Sequence, residues 1–309
     1  VAIAGVPLSI VSLFCNLFIA VVLLRSRHSH FWFLAVLAIS DSFLSFMYPP
    51  VVAMDLIKDR LQYLWLNQAY WVYLPSMLSL CTTCMTFSTF LIALATIERF
   101  LITEKHPFLG FFRSHRGFLV AVVAIASLIL KGTLYFEIEM VRNDNCTGLT
   151  EYKVNLTPLA ENWFYNNIFR FYVRNITTVL IPFFLLAFLN VRIVRTLQKQ
   201  QRAAQMFRFA TSRHKVASTS KILSRLQLKV RSATRLTVLI VCSYLIANVL
   251  NVVVTIWEYV NFDSTQGDLY IYYELMTDVV SVMYIAMCAM RLAVYFFCNQ
   301  EIRYEFAYF

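Results

Sequence analysis

Seven long runs of apolar residues, separated by short polar segments, dominate this sequence of 309 residues. A helix needs about 20 mostly apolar residues to cross the hydrocarbon core of a bilayer, and each run is long enough. The runs cover residues 1–25, 31–57, 68–103, 116–137, 166–198, 228–258 and 270–298. They predict an all-α membrane protein whose single domain, residues 1–309, is a seven-transmembrane helix bundle.

The composition also indicates a membrane protein. Of the residues, 60% are hydrophobic and only 14% are charged, whereas about a quarter of the residues in soluble domains are charged. This excludes a soluble enzyme, a disordered chain and a disulfide scaffold. Residues 299–309 carry Ile302, Phe306 and Phe309 at helical spacing between charges, which predicts a short amphipathic helix on the membrane surface.

The basic residues predict the orientation of the bundle, because lysine and arginine favour cytoplasmic loops. Of the 27 Lys and Arg residues, 19 lie in the loops and at the run ends on the side that follows the first, third, fifth and seventh runs, and seven lie on the opposite side. We therefore expect a multi-pass protein of the plasma membrane with an extracellular N-terminus. Its basic cytoplasmic face would attract anionic membrane lipid, so the net charge of +10 does not indicate nucleic acid.

Twelve of the 17 acidic residues lie on the other, outer side. An acidic rim with aromatic residues suits a cationic, aromatic ligand through ion pairs and cation–π contacts. The alternative for each acid is a solvated rim residue without a ligand. The candidate ligand-binding residues at this rim are Asp55, Glu137, Glu139, Trp257, Glu258, Glu274 and Asp278.

Polar groups inside the apolar runs are costly in a membrane and often mark function. They include Asn16, Asp41, the pair Glu98-Arg99 and Arg291. We expect a buried polar core that consists of Asn16, Asp41, Ser88 and Arg291. Pro182 lies inside the fifth run, where a proline frees a backbone carbonyl and kinks the helix.

The third run places several of its residues on one helical face. Ser88 is eleven residues before Arg99 and Cys81 is eighteen before it, which correspond to about three and five helical turns. Cys81, Met85, Ser88 and Arg99 therefore share a face that connects the outer half with the cytoplasmic end. We take Cys81 and Met85 as further candidate ligand contacts.

With this pattern the chain resembles the rhodopsin-like (class A) G-protein-coupled receptors over essentially its whole length. The residues that carry the resemblance are Asn16, Leu34–Asp41, Glu98-Arg99-Phe100, Pro182 and Tyr295, in that order on successive spans. The resemblance implies that a heterotrimeric G protein binds near Arg99, which Glu98 holds at rest. Asn190, at the position of a family tyrosine, and Tyr295 complete the candidate switch.

Finer details look like the invertebrate, nematode-type FMRFamide-like neuropeptide receptors. They are Phe136-Glu137, His106-Pro107-Phe108, Ile181-Pro182-Phe183, Leu189-Asn190 and the tail Phe297–Arg303. This resemblance implies an extracellular peptide ligand that ends in Arg-Phe-amide.

The chain also departs from the class A pattern. The family's Cys-Trp-x-Pro stands here as Cys242-Ser243-Tyr244-Leu245, and its Asn-Pro-x-x-Tyr as the segment Arg291–Tyr295. In the family, the residues matching Asp41 and Ser88 help to bind a sodium ion. We expect Arg291 to pair with Asp41 and to occupy the place of that cation. The alternative is that Arg291 extends to the inner membrane interface.

The cysteines and the sequons add modest information. Cys146 could reach Cys81 only if the second outer loop dipped about 10 Å into the bundle, so we expect no such bridge. Asn145 and Asn155 each begin a glycosylation sequon in that loop. The sequence has no histidine cluster or glycine-rich phosphate loop, so we expect no metal and no cofactor.

Three functions remain open at this stage. The first is a G-protein-coupled neuropeptide receptor, and the second is a rhodopsin-like chemoreceptor for a small molecule. A seven-span transporter or channel is a remote third, since transporters usually show repeats and broken helices and the chain shows no internal duplication. Nothing in the sequence indicates an enzyme.

Overall fold

The structure, a computed structural model, describes residues 5–25, 32–142, 151–210, 219–260 and 270–298. Within these ranges seven helices are long and apolar enough to cross a membrane, which confirms the predicted seven-helix bundle. The amphipathic helix predicted for residues 299–309 lies outside the described residues. The spans, numbered one to seven below, are Gly5–Arg25, Trp32–Leu61, Leu64–Thr103, Arg116–Glu137, Phe164–Gln200, Thr237–Trp257 and Leu275–Phe296.

Several helices continue beyond the apolar part of their span. The helix of span five ends at Ala210, the helix of span six is Thr219–Val260, and that of span seven is Tyr270–Cys298. Span four consists of Arg116–Lys131 and the short helix Leu134–Glu137. A short helix, Leu109–Ser114, connects spans three and four.

Two spans change helical type along their length, and in span two the change occurs at a pair of prolines. Span two is α-helical over Trp32–Tyr48 and Met54–Leu61, with a π-helical segment Pro49–Ala53 between them. The outer half of span five is π-helical over Phe164–Arg174 and Ile176–Leu180. The α-helix resumes at Ile181, so Pro182 lies in its first turn, where the missing N–H matters least.

The second outer loop contains a β-hairpin in addition to the helices. Strand β1, Ile138–Arg142, pairs antiparallel with β2, Tyr152–Leu156, and Glu139 lies opposite Asn155. The hairpin continues directly from the end of span four. In β2 the apolar residues Tyr152, Val154 and Leu156 alternate with polar ones, which is typical of a strand with one covered face.

The interior of the bundle is formed mainly by spans two and three. Half of the apolar window of span three is buried, whereas only 6% of that of span four is buried, so span four lies at the periphery. Spans one and two meet through small polar residues, and the hydroxyls of Ser12 and Ser45 are 2.7 Å apart. Such residues let helices approach closely and hydrogen-bond in a membrane.

Candidate functional site

A polar core joins spans one, two, three and seven. Arg291 Nη1 forms an ion pair with Asp41 Oδ2, and the two side chains are only 2% and 0% exposed. Ser88 Oγ lies 3.2 Å from the other carboxylate oxygen of Asp41 and 2.8 Å from Ser40 Oγ. The predicted pairing of Arg291 with Asp41 is therefore present, and the guanidinium provides the positive charge beside this carboxylate.

Asn16 connects the polar core to span seven. Its amide Nδ2 donates to the backbone carbonyl of Cys288 at 3.1 Å and to that of Ser12 at 2.9 Å. Asn16 is fully buried, and these hydrogen bonds compensate for the desolvation of its amide nitrogen. The four residues predicted as a buried polar core, Asn16, Asp41, Ser88 and Arg291, thus lie together at the same level of the bundle.

At the inner end of span three, Glu98 is paired with arginines from the next loop and the start of span four. Arg116 Nη2 donates to Glu98 Oε1, and Arg113 Nε is 3.9 Å from the same oxygen. The side chain of Glu98 is 2% exposed and that of Arg116 is 11% exposed. The prediction that Glu98 holds Arg99 missed this partner, because Arg116 lies eighteen residues after Glu98 in the chain.

The remaining candidate switch residues are buried near this end. Tyr295 is 1% exposed and lies close enough to Arg99 and Arg291 to interact electrostatically with both. Asn190 Nδ2 is 3.2 Å from Cys242 Sγ, so it connects span five to span six. These side chains lie between the polar core and the inner surface of the bundle.

A cavity of about 70 Å³ lies between spans three, five, six and seven. Met85, predicted as a ligand contact, is in its wall. The wall is polar but carries no charge among the residues that the structure describes. It is lined by Met85, Thr86, Thr89, Thr178, Val179, Tyr244, Asn248, Asn251, Val280 and Tyr284.

Most polar groups of this cavity are satisfied within the protein. Asn248 Nδ2 donates to the carbonyl of Tyr244 at 3.0 Å, and the Tyr284 hydroxyl donates to that of Met85 at 3.5 Å. Thr89 Oγ1 donates to the Met85 carbonyl at 3.0 Å. The hydroxyl of Thr178 is buried and lacks a hydrogen-bond partner among the described residues. An occupant of the cavity with a hydrogen-bond acceptor could accept a hydrogen bond from this hydroxyl.

At the outer end of span four, Glu137 is the centre of a buried ion-pair cluster. Its side chain is 0% exposed, Arg174 Nη1 lies 2.5 Å from Oε1, and Arg170 Nε lies 3.3 Å from Oε2. The hydroxyl of Tyr165 donates to Oε1 at 2.8 Å. Glu137 therefore ties span four to span five, and the structure does not place it on an open rim.

Asp55 also has a partner within the chain. Lys58 Nζ is 3.0 Å from Asp55 and 2.9 Å from Asp59, and the side chain of Lys58 is 7% exposed. The ammonium also lies 5.1 Å from the ring centre of Tyr70 and 4.9 Å from that of Trp71. This lysine neutralises much of the negative charge that the sequence places at the outer end of span two.

The other candidate ligand contacts lie on several different elements. Glu139 is exposed on β1, and Cys81 is a half-buried free thiol. Trp257 packs edge-on against Tyr273 at 6.4 Å, and Asp278 is half-buried. The side chains of Glu258 and Glu274 lie outside the described residues, as do Asn145 and Cys146, whereas Asn155 is exposed on β2.

The family comparison agrees with this architecture. Residues 4–303 match the family described as serpentine type 7TM GPCR chemoreceptor Srw. The chain belongs to the Srw family. No curated protein matches it.

Membership in the Srw family makes the chain a G-protein-coupled receptor of the membrane and not an enzyme. A receptor of this kind has an extracellular ligand and a G-protein partner. The finer class A and FMRFamide-type resemblances are not part of what the family match shows.

Sequence reasoning missed several residues of this Srw receptor that the structure places at its sites. The sequence does not indicate the ion pairs of Glu98 with Arg116 or of Glu137 with Arg170 and Arg174, because each acid is distant in sequence from its arginine. Asn248 and Asn251 were detectable, since two amides one turn apart inside span six are costly in a membrane unless they face the interior.

Proposed function

We propose that the receptor binds a small, uncharged polar molecule in the cavity between spans three, five, six and seven. Binding from the extracellular side would then activate a heterotrimeric G protein at the inner ends of the spans. In this proposal the N-terminus is extracellular and the receptor works in the plasma membrane. The observation that carries it is the neutral, polar lining of the cavity.

The lining favours an uncharged ligand on energetic grounds. A charged group moved into a buried site without a counter-charge loses its hydration and is strongly disfavoured. Among the described residues, the cavity offers hydroxyls and amides from Thr178, Asn248 and Asn251 but no carboxylate. These groups suit a ligand that carries a carbonyl, ether or hydroxyl oxygen.

The state of the outer acids supports the same proposal. Two of the acids predicted to attract a cation already have cationic partners in the chain, since Asp55 pairs with Lys58 and Glu137 with two arginines. The electrostatic attraction of the rim for a cationic peptide is therefore weaker than the sequence indicates.

Contacts on spans three and seven connect the cavity with the polar core. We propose that they transmit activation as in class A receptors. Met85 and Thr89 line the cavity, and Ser88, between them on span three, contacts Asp41 of the polar core. Tyr284 also lines the cavity, and Cys288, one turn further, accepts a hydrogen bond from Asn16. A ligand that moves span three against span seven would change both contacts.

The test is a G-protein activation assay in cells that express the full-length receptor. Small neutral alcohols, ketones, esters and amides are compared with amines and with Arg-Phe-amide peptides. We expect a response to a neutral compound, and Thr178→Val should weaken it about tenfold because one hydrogen bond is lost. Thr255→Val is the matched control, since Thr255 donates to the Asn251 carbonyl at 2.8 Å within its own helix and is not in the cavity wall. A neutral agonist that is insensitive to Thr178→Val would contradict binding in this cavity.

A second candidate is an Arg-Phe-amide peptide at the outer ends of spans six and seven. It is favoured by the aromatic pair Trp257 and Tyr273 and by Asp278, which forms no ion pair with any described residue. A response to peptides alone, lost in Asp278→Asn and retained in Thr178→Val, would establish this candidate in place of the first.

A further inference from the structure

A groove of about 420 Å³ lies at the inner ends of spans three and five and is separate from the cavity described above. Its lining includes Glu104 from the end of span three and Thr196 from span five. The cationic side chains in its wall are Arg192, Arg195, Lys199 and Arg202, all of them exposed. Its strongly basic lining makes it a candidate site for an anion.

The four cations lie on one face of the helix. Their spacing of three, four and three residues places them within an arc of about 80° at 3.6 residues per turn. None of them forms an ion pair with a residue that the structure describes. The single acid of the groove, Glu104, accepts a hydrogen bond from Thr196 Oγ1 at 2.8 Å.

The groove also has a defined shape, because the two helices are tied together beside it. Gln200 Nε2 donates to the backbone carbonyl of Thr103 at 3.0 Å, one turn beyond the contact between Thr196 and Glu104. Span three ends at Thr103, so the groove lies at the level where the predicted inner membrane surface begins.

The residues that precede the cations on the same helix face are apolar and exposed. Phe184 and Phe188 are each 60% exposed and Val191 is 48% exposed. At 100° per residue, these three lie within about 60° of one another, on the face that continues into Arg195, Lys199 and Arg202. One helix face thus presents an apolar stripe followed by a cationic groove, as a lipid with an acyl chain and an anionic headgroup requires.

We propose that this groove binds a membrane lipid whose headgroup carries several phosphate groups, with its acyl chains along Phe184, Phe188 and Val191. Guanidinium groups bind phosphate oxygens in bidentate fashion, and the lysine adds a point charge. The volume exceeds that of a single phosphate and suits a headgroup with several. An acidic protein segment could pair with the cations, but it would not account for the adjoining apolar stripe.

The test measures lipid retained by the purified full-length receptor in neutral detergent, by mass spectrometry of the intact complex. The lipids are phosphatidylinositol bisphosphate, phosphatidylserine and phosphatidylcholine, and the soluble arm is the inositol phosphate headgroup alone. We expect the bisphosphate lipid to be retained most and the soluble headgroup to bind far more weakly. Soluble headgroup that binds as well as the lipid would overturn the assignment to a lipid.

Two variants distinguish the groove from the general positive charge of this side. Arg195→Gln/Lys199→Gln/Arg202→Gln should reduce lipid retention at least about tenfold, because each cation near the surface contributes to attraction. Lys215→Gln/Lys221→Gln/Arg225→Gln removes the same charge from the segment before span six and should leave retention within about twofold. Equal loss in both variants, or no preference among the lipids, would overturn the proposal. Arg195→Gln/Arg202→Gln gives a milder version, with the thermal midpoint measured to confirm folding.

Discussion

Arg291 of span seven and Asp41 of span two form an ion pair in the middle of the bundle, where both side chains are almost completely buried. Each charge is acceptable there only because the other is present, since an isolated ion in a low-dielectric interior loses its hydration without compensation. The pair thereby fixes span seven against span two, beside the serine of span three that lies below the cavity.

Removing one member of this pair should destabilise the receptor more than removing both. We expect Arg291→Gln or Asp41→Asn alone to cost about 3–5 kcal/mol, because each leaves an uncompensated buried charge. The double variant should cost less than the sum of the two. Thermal unfolding of the four purified forms measures this coupling, and additive effects would show that the pair does not interact energetically.

The same pair should make the receptor indifferent to sodium. A guanidinium beside Asp41 supplies the positive charge that a bound cation would otherwise bring. We expect the thermal midpoint to be the same in sodium chloride and in potassium chloride at equal ionic strength. Arg291→Asn should make the midpoint higher in sodium than in potassium. A sodium-dependent midpoint in the unmodified receptor would contradict the assignment.

The contact between Arg116 and Glu98 should restrain the resting receptor. Arg116→Gln is expected to raise basal G-protein activation about fivefold, because a coupling of about 1 kcal/mol shifts a two-state population by that factor. Arg113→Gln is the control, since Arg113 is farther from Glu98, at 3.9 Å, and its side chain is 39% exposed. Unchanged basal activity of Arg116→Gln at equal surface expression would show that this ion pair does not hold the resting state.

The cluster around Glu137 should contribute to stability through one of its arginines more than the other. Arg174→Gln removes the less exposed partner of Glu137, since the Arg174 side chain is 9% exposed, and should cost about 3–5 kcal/mol because the buried carboxylate loses its nearest counter-charge. Arg170→Gln should cost about 1 kcal/mol or less, since that side chain is 33% exposed and solvent screens its charge. Thermal midpoints of the two variants test this order, and a larger effect of Arg170→Gln would reverse it.

The polar core illustrates what can be predicted from residues alone. Asn16, Asp41 and Arg291 are conspicuous because amides and charges are rare inside apolar runs. A pair between Arg291 and Asp41 follows from charge balance, since the guanidinium stays protonated and needs a partner. The switch at Glu98 could not be predicted in the same way, because Glu98 has several arginines within reach in the sequence and only the packing of the second inner loop selects Arg116.

The outer rim shows the opposite case. The sequence indicates a row of acids open to a cationic ligand. In the structure, Asp55 forms an ion pair with Lys58, and Glu137 forms ion pairs with Arg170 and Arg174. The sequence also did not predict the β-hairpin, whose strands are Ile138–Arg142 and Tyr152–Leu156. Such loops carry no long apolar run, so their conformation depends on tertiary contacts that one sequence does not display.

By itself, the sequence determined the number of spans, their approximate ends and the identity of the buried polar residues. It could do so because the membrane imposes one strong requirement, that backbone polar groups be satisfied within apolar helices of fixed length. Only the tertiary structure decided which partners Glu98 and Glu137 take, where the neutral cavity lies and which acids stay open. Those features depend on distances between residues on different helices, and ion pairs and cavities form wherever the packed helices bring the groups together.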